Sequence, residues 1–309
     1  MQFALILSLA ILADEILGDP KIFTHPVIFI GRLINFIRAK IFTDTHSFIR
    51  GLVLCGLTVS MTGLFVWLIL YTFNANIIVQ VYLLYSALAW KDLRDETAPI
   101  LSSLINNDLP EARKFLSYVV GRDTENLNAT EITRATIETI AENSIDGVMS
   151  VMFFAAVGYL INRDYGMGVC VWIFKAASTL DSMVGYESYH EFGKPSARLD
   201  DALNFLPARI GGLIIVLVSQ NFSRALKVFM TDRNKHKSPN SAHGESAFAG
   251  GLNIKLGGGA FYSGEFESRP FINSQGTEPE IFDIVKAWDL LNKSCWGFAF
   301  MLMLLLWKI

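Results

Sequence analysis

Five runs of this chain, Gly51–Tyr71, Ile77–Trp90, Val148–Ile161, Gly166–Leu180 and Cys295–Trp307, carry no charged residue apart from Lys175. Inside a bilayer every backbone polar group must be satisfied within the segment, so runs of this kind point to membrane-crossing helices. A span needs about 17–25 apolar residues. Most of the runs are shorter, which a bundle of several spans tolerates better than a single anchor would. The composition agrees, with 52% hydrophobic and 18% charged residues, where a soluble domain carries about 25% charged.

Met1–Ala13 is apolar but has no basic leader region and no small-residue cleavage site, and Asp14 and Glu15 follow at once. It reads as a retained membrane-entering helix. Cys55, Cys170 and Cys295 are scattered through apolar runs, as small buried hydrophobes are. Between Asp19 and Arg50 lie Lys21, Arg32, Arg38, Lys40 and Arg50, whereas Thr72–Asn76 is uncharged. The positive-inside rule makes the first connection cytoplasmic and the second external. Lys91–Gly147 then falls inside, Asn162–Tyr165 outside and Asp181–Arg209 inside. Ile210–Ser219 is too short to cross and reads as re-entrant or interfacial, which keeps Gln220–Ser294 cytoplasmic.

The expected fold is therefore an all-α polytopic membrane protein, a single integral membrane domain over residues 1–309 with short and re-entrant helices. Polar blocks 91–147 and 181–294 form a cytoplasmic site. The first block reads as helical: Pro110 sits at a first-turn position, and Asn128-Ala-Thr-Glu131 forms a capping box. The second, rich in Gly, Ser, Pro and Asn over Asp232–Glu280, reads as loops around a substrate platform.

Four clusters are candidates for chemistry. Glu131, Glu138, Glu142 and Asp146 share one helix face, where like charges at i,i+4 repel unless solvent, a basic neighbour or a cation offsets them. Glu142 and Asp146 adjoin an apolar run, a setting that suits Mg²⁺. Lys175, Asp181, Arg198, Asp200, Asp201, Asn204 and Arg209 form the second, with Arg198, Asp201 and Asn204 at i+3 intervals on a helix starting near Ala197. Carboxylates there can hold a metal and guanidinium groups can fork onto phosphate; a salt-bridged cap is the plain alternative. Asp14 and Asp19 end the first helix, where the helix dipole disfavours acids and a cation would compensate; Gly18 and Pro20 stop it.

The fourth cluster combines Lys235-His-Lys-Ser-Pro-Asn240, Glu245 and the glycines Gly250, Gly251, Gly257, Gly258 and Gly259. Gly-rich backbone beside Lys and Ser can cradle phosphate. Neither a Walker-type loop nor a dinucleotide fingerprint occurs, His236 and His243 lack thiol partners for zinc and read as structural, and no basic stripe suggests nucleic acid.

Taken together the chain resembles the CbiB/CobD family, the adenosylcobinamide-phosphate synthases of cobalamin biosynthesis. The matching blocks are Asp14…Gly18-Asp-Pro20…His25-Pro-Val27…Gly31-Arg-Leu33; Val120-Gly-Arg-Asp-Thr124; Glu138…Ala141-Glu-Asn143…Asp146-Gly147; Thr179-Leu-Asp-Ser-Met-Val-Gly-Tyr186; Phe192-Gly193…Ala197-Arg-Leu-Asp-Asp201…Asn204…Pro207-Ala-Arg209; Ser238-Pro-Asn240…Glu245…Ala247; and Leu256-Gly-Gly258…Tyr262…Gly264…Arg269-Pro270. They stand in the family's order along nearly the whole chain. Departures fall at Val151, Ser178, Ala242-His-Gly-Glu245 and Gly259, where the family more often has Pro, Asn, Gly-Trp-Pro-Glu and Pro.

The resemblance implies an ATP-dependent ligase that joins adenosylcobyric acid to aminopropanol phosphate, or to a free or related amino alcohol, in an amide bond. A carboxylate does not accept an amine at neutral pH without activation. ATP would supply it through an acyl phosphate, with Mg²⁺ on the phosphates and a base for the ammonium proton. The implied metal ligands are Glu142, Asp181, Asp200 and Asp201. The implied phosphate or carboxylate contacts are Arg122, Arg198, Arg209, Lys237 and Asn240, and the catalytic candidates are Asp146, Glu245 and Lys175. Membrane lipid and a corrinoid are the expected partners, with a homo-oligomer left open. A transporter, or a corrinoid scaffold without catalysis, is the alternative reading.

Overall fold

The computed structural model describes residues 1–19, 25–42, 47–185 and 189–308. Pro20 and Tyr186, both part of the family blocks, lie outside the described residues. The helices are α1 (Gln2–Leu17), α2 (Pro26–Ile41), α3 (Phe48–Thr72), α4 (Ile77–Tyr85), α5 (Trp90–Ile105), α6 (Leu109–Ser117), α7 (Ala129–Asn143), α8 (Ser150–Ile161), α9 (Gly166–Val184), α10 (His190–Val218), α11 (Phe222–Asp232), α12 (Ser241–Leu252) and α13 (Asp283–Leu305). A π-helical turn, Ser144–Met149, joins α7 to α8. Sheet is confined to two small antiparallel pairs: β1 (Leu256–Gly257) with β4 (Phe271–Ile272), and β2 (Ala260–Tyr262) with β3 (Glu265–Glu267).

Four helical stretches among the described residues are long and apolar enough to cross a membrane: Phe48–Thr72, Ala129–Ile161, Gly166–Val184 and His190–Val218. The all-α membrane architecture stands, but the spans are not the apolar runs themselves. Ile210–Val218, all but the last residue of the run expected to be re-entrant or interfacial, is the last part of a 29-residue helix. Helical hydrogen bonding propagates through polar residues as readily as apolar ones, so the short run is extended by Ser196–Arg209 on its N-terminal side. Conversely Ile77–Trp90 is not one segment. Its helix stops at Tyr85 after nine residues, and Trp90 opens the next.

The chain forms two compact units, Met1–Ala89 with Ser150–Asn204 and Leu302–Ile309, and Trp90–Met149 with Phe205–Met301. In the first unit α1, α2, α3, α8 and α9 pack around Phe3, Ile6, Leu7, Ile34, Leu54 and Phe174, all fully buried. Phe65, Leu64 and Leu57 of α3 face outward, as a lipid-facing helix requires. Helices α8 and α9 meet at Gly158 and Gly166: a Cβ on either would stand 2.0–2.1 Å from the other's carbonyl oxygen.

In the second unit the capping box forms as expected, with Glu131 N donating to Asn128 Oδ1 (3.0 Å) and Asn128 N to Glu131 Oε2 (2.8 Å). Pro110 lies in the first turn of α6, capped by Asp108. The Gly- and Ser-rich Ser241–Leu252, expected as loop, is helical. Its small residues serve close packing, since a Cβ at Gly244 would lie 2.6 Å from Ala141 O and one at Gly250 2.8 Å from Ala225 Cα. Asp232 closes α11 onto the strand segment, accepting from Asn273 N (2.7 Å) and pairing with Lys235 Nζ (2.8 Å). Burial pushes its carboxyl up, but the Lys235 and Asn273 donors outweigh burial and hold it below the usual range. A folded-state pKa below the unfolded one stabilises the fold above the unfolded value and is lost as pH falls through the folded one. Asp232→Asn is therefore expected to cost about 1–3 kcal/mol at neutral pH. Its deficit relative to the wild type should shrink as the pH drops below about 4, as chemical denaturation at pH 7 and pH 3 would read.

Candidate active site

A polar cleft of about 150 Å³ in the second unit draws on four separate chain segments. The loop after α6 supplies Arg122, α7 supplies Glu138 and Glu142, α12 with the segment before it supplies Glu245 and His236, and the Gly-rich segment supplies Gly257, Tyr262 and Arg269. Arg122 is anchored by Glu138, Nη2 to Oε2 at 2.7 Å, and Gly257 N donates to Glu138 Oε1 (2.7 Å). One buried carboxylate thus ties the guanidinium and the glycine strand to the same helix. The neighbouring Asp123 fastens the β2–β3 hairpin, donating its N–H to Phe261 O (2.8 Å) and accepting from Ser263 N (3.1 Å) and Gly264 N (2.7 Å).

The glycine run is needed for its backbone. Gly257, Gly258 and Gly259 have φ of 76°, 97° and 92°, in the left-handed region that favours glycine. A Cβ at Gly258 would also stand 2.1 Å from the Phe271 ring. Arg134 and Lys255 both ion-pair with Glu278 and both lie over the Phe271 ring, which holds the far side of the hairpin.

Glu245 and His236 lie deepest, with side chains 6% and 7% exposed and Nδ1 to Oε1 at 3.5 Å. His236 Nδ1 hydrogen-bonds Ser241 Oγ (3.1 Å). Among the described residues, His236 Nε2 and Glu245 Oε2 have no hydrogen-bond partner, and buried polar atoms left unpaired are costly. Burial, reinforced by the Glu138 and Glu142 charges, raises the Glu245 carboxyl well above the usual carboxylate range. Burial and the Arg269 charge lower His236. A buried carboxyl with a raised pKa in a cleft is a candidate for proton exchange.

The expected acidic face thus divides. Glu131 caps α7, Glu138 is buried against Arg122, Glu142 lines the cleft and Asp146 lies in the π-turn. Of the residues expected to bind phosphate or carboxylate, Arg122 lines the cleft. Lys237 is mostly exposed and pairs with Glu267 (3.0 Å). Arg209 donates to Asn240 Oδ1 (2.9 Å) and Pro239 O (3.2 Å), so these two expected contacts satisfy each other. His236, Arg269 and Tyr262 were not among the expected site residues; the only signal for the last two is that they fall in the family blocks.

The first unit carries the other expected residues. On α10, which begins at His190 rather than near Ala197, Asn204 joins Asp200 (Nδ2 to Oδ2, 3.1 Å) to Ser150 of α8 (Oγ to Oδ1, 2.7 Å). Arg198 lies over the Phe48 ring. Lys175 and Asp181 are half-buried on α9, and Asp181 lies within electrostatic reach of Asp201. Among the described residues no group of three or more His, Cys, Asp or Glu is arranged to hold a metal ion, and Asp19 faces His25 Nε2 at 3.5 Å.

The CobD/Cbib protein family matches residues 7–291. The chain is similar to the cobalamin biosynthesis protein CobD of Pelobacter propionicus, 41% identical over 86% of this chain and 84% of the relative. It is similar to that of Photorhabdus laumondii, 38% identical over 89% and 88%, and to that of Listeria monocytogenes, 40% identical over 86% of each. No solved structure matches.

Proposed function

We propose, for a chain that belongs to the CobD/Cbib protein family, that it works in cobalamin biosynthesis as an ATP-dependent amide ligase. It joins a carboxylate of adenosylcobyric acid to aminopropanol phosphate or a related amino alcohol. The observation that carries this reading is the cleft, where a proton-exchanging carboxyl, Glu245, stands in the same small space as the guanidinium groups of Arg122 and Arg269. A small amine bearing an anionic group needs both. The cleft suits the amine, while the corrinoid is far too large for it and would present only its reacting side chain.

In the reaction ATP converts the carboxylate to an acyl phosphate, releasing ADP. The amine nitrogen then forms the C–N bond as phosphate leaves. The amine arrives as ammonium and must lose a proton first, and Glu245 Oε2 is the acceptor we assign. Carboxylates are the residue type that would hold Mg²⁺ arriving with the nucleotide. Mg²⁺ is commonly held by one or two carboxylates together with phosphate oxygens and water rather than by an all-protein cage. Asp181, Asp200 and Asp201 of the first unit would hold the ion, which would supply neutralisation of phosphate charge; Glu142 of the second unit is a separate candidate ligand.

The test is mass spectrometry of the corrinoid after incubating detergent-purified protein with adenosylcobyric acid, aminopropanol phosphate and Mg²⁺. An amide-sized mass gain is expected only when ATP is present. Corrinoid binding without product would leave a scaffold or transporter. Asp200→Asn combined with Asp201→Asn should lower ATP-dependent turnover at least about tenfold, in line with the loss of charged ligands to Mg²⁺. Unchanged turnover would remove both from the metal assignment.

A further inference from the structure

His236 reads along the chain as a lone histidine between two lysines, and the family blocks do not include it. In the fold its side chain is 7% exposed and borders the cleft, with one ring nitrogen occupied and the other not. Nδ1 meets the Ser241 hydroxyl at 3.1 Å. That hydroxyl rotates freely enough to donate, and an imidazole that accepts at Nδ1 carries its proton on Nε2. With Nδ1 accepting from Ser241, the unpartnered Nε2 is an N–H donor on a residue that lines the cleft. Arg269 lines the same space, stacked over Tyr262 at 5.1 Å and held loosely by Glu267 at 3.3 Å. Burial, with the Arg269 charge added, lowers His236 and so favours the neutral ring. Arg122, by contrast, is already committed to Glu138.

We propose that His236 Nε2 and Arg269 form a phosphoryl-oxyanion subsite within the cleft, with Ser241 setting the imidazole tautomer. This deepens the ligase reading and rests on it for the identity of the ligands. The phosphoryl oxygens come either from the phosphate of the amine substrate or from the nucleotide. A neutral donor beside a guanidinium suits a dianionic phosphate, because it adds a directed hydrogen bond without placing a second full charge in a buried position. The adjacent Glu245 stays available to the amine end of the same molecule.

Isothermal titration of the detergent-solubilised full chain with aminopropanol phosphate, free aminopropanol and ATP tests the subsite whether or not amide forms. A hydrogen bond to a charged group predicts about tenfold to a hundredfold weaker binding in His236→Ala. His236→Gln, whose side-chain amide can donate, should recover most of it. Weakening confined to aminopropanol phosphate assigns the subsite to the amine substrate; weakening confined to ATP assigns it to the nucleotide. Unchanged affinity for both phosphates in His236→Ala overturns the proposal, as does equal weakening for free aminopropanol, which would mark a general loss of the cleft's shape. Failure of the ligase reading itself appears separately, as wild-type protein that forms no amide.

Discussion

Replacing Arg122 by alanine is expected to abolish measurable turnover and to destabilise the protein by about 3–5 kcal/mol. Glu138 is 5% exposed and has two partners, Arg122 at 2.7 Å and Gly257 N at 2.7 Å. Taking away the guanidinium leaves a carboxylate buried against one amide donor, and an unbalanced buried charge costs more than the pair contributes. The cost also reaches the site, because Glu138 is what holds Gly257 against α7. Glu138→Gln should be milder in stability. The double variant Arg122→Ala with Glu138→Gln should be more stable than Arg122→Ala alone while remaining inactive. Thermal unfolding in detergent together with the ATP-dependent assay reads both. Full activity in Arg122→Ala would show that the buried pair is a structural tie and place the phosphate contacts elsewhere.

The second large effect lies far from any chemistry. Gly158→Val or Gly166→Val is expected to prevent α8 and α9 from packing, so that little folded protein is recovered from the membrane. The Cβ positions fall 2.1 and 2.0 Å from backbone carbonyl oxygens of the facing helix, and backbone cannot step aside as a side chain can. Overpacking of an ordinary core costs about 1–3 kcal/mol. Here the helices must separate along their whole contact, and in lipid close backbone approach is a main source of helix association. Gly56→Ala on α3, where nothing lies within 4 Å, is the control and should be neutral or slightly stabilising. Equal recovery of Gly158→Val and Gly56→Ala by size-exclusion profile and thermal stability would contradict the close-packing account.

Local features were legible along the chain because they depend on neighbours in sequence. The capping box at Asn128 and Glu131, the first-turn Pro110 and the stop at Gly18 all appear where spacing places them. Spans were less legible. Hydropathy marks where the chain is dry, but a helix continues wherever hydrogen bonding does, so His190–Val218 absorbed a polar half and Ala129–Ile161 ran through a π-turn. Ser241–Leu252 misled for a related reason: small residues signal both loops and tight helix contacts, and only the neighbours distinguish them.

What the sequence by itself determined is the class, a helical membrane protein, and the family, because hydropathy and ordered motifs are properties of the chain read in one dimension. The tertiary structure decided which charged residues are fasteners and which line the cleft. Glu138 meets Gly257 across 119 residues, and that contact made it an anchor, while the neighbouring Glu142 remained at the cleft. Arg209 and Asn240, both plausible phosphate ligands by residue type, turned toward each other. His236, read as structural in sequence, acquired an unpartnered buried nitrogen. Burial and pairing set what an ionisable group can do, and both depend on which distant segments fold against it.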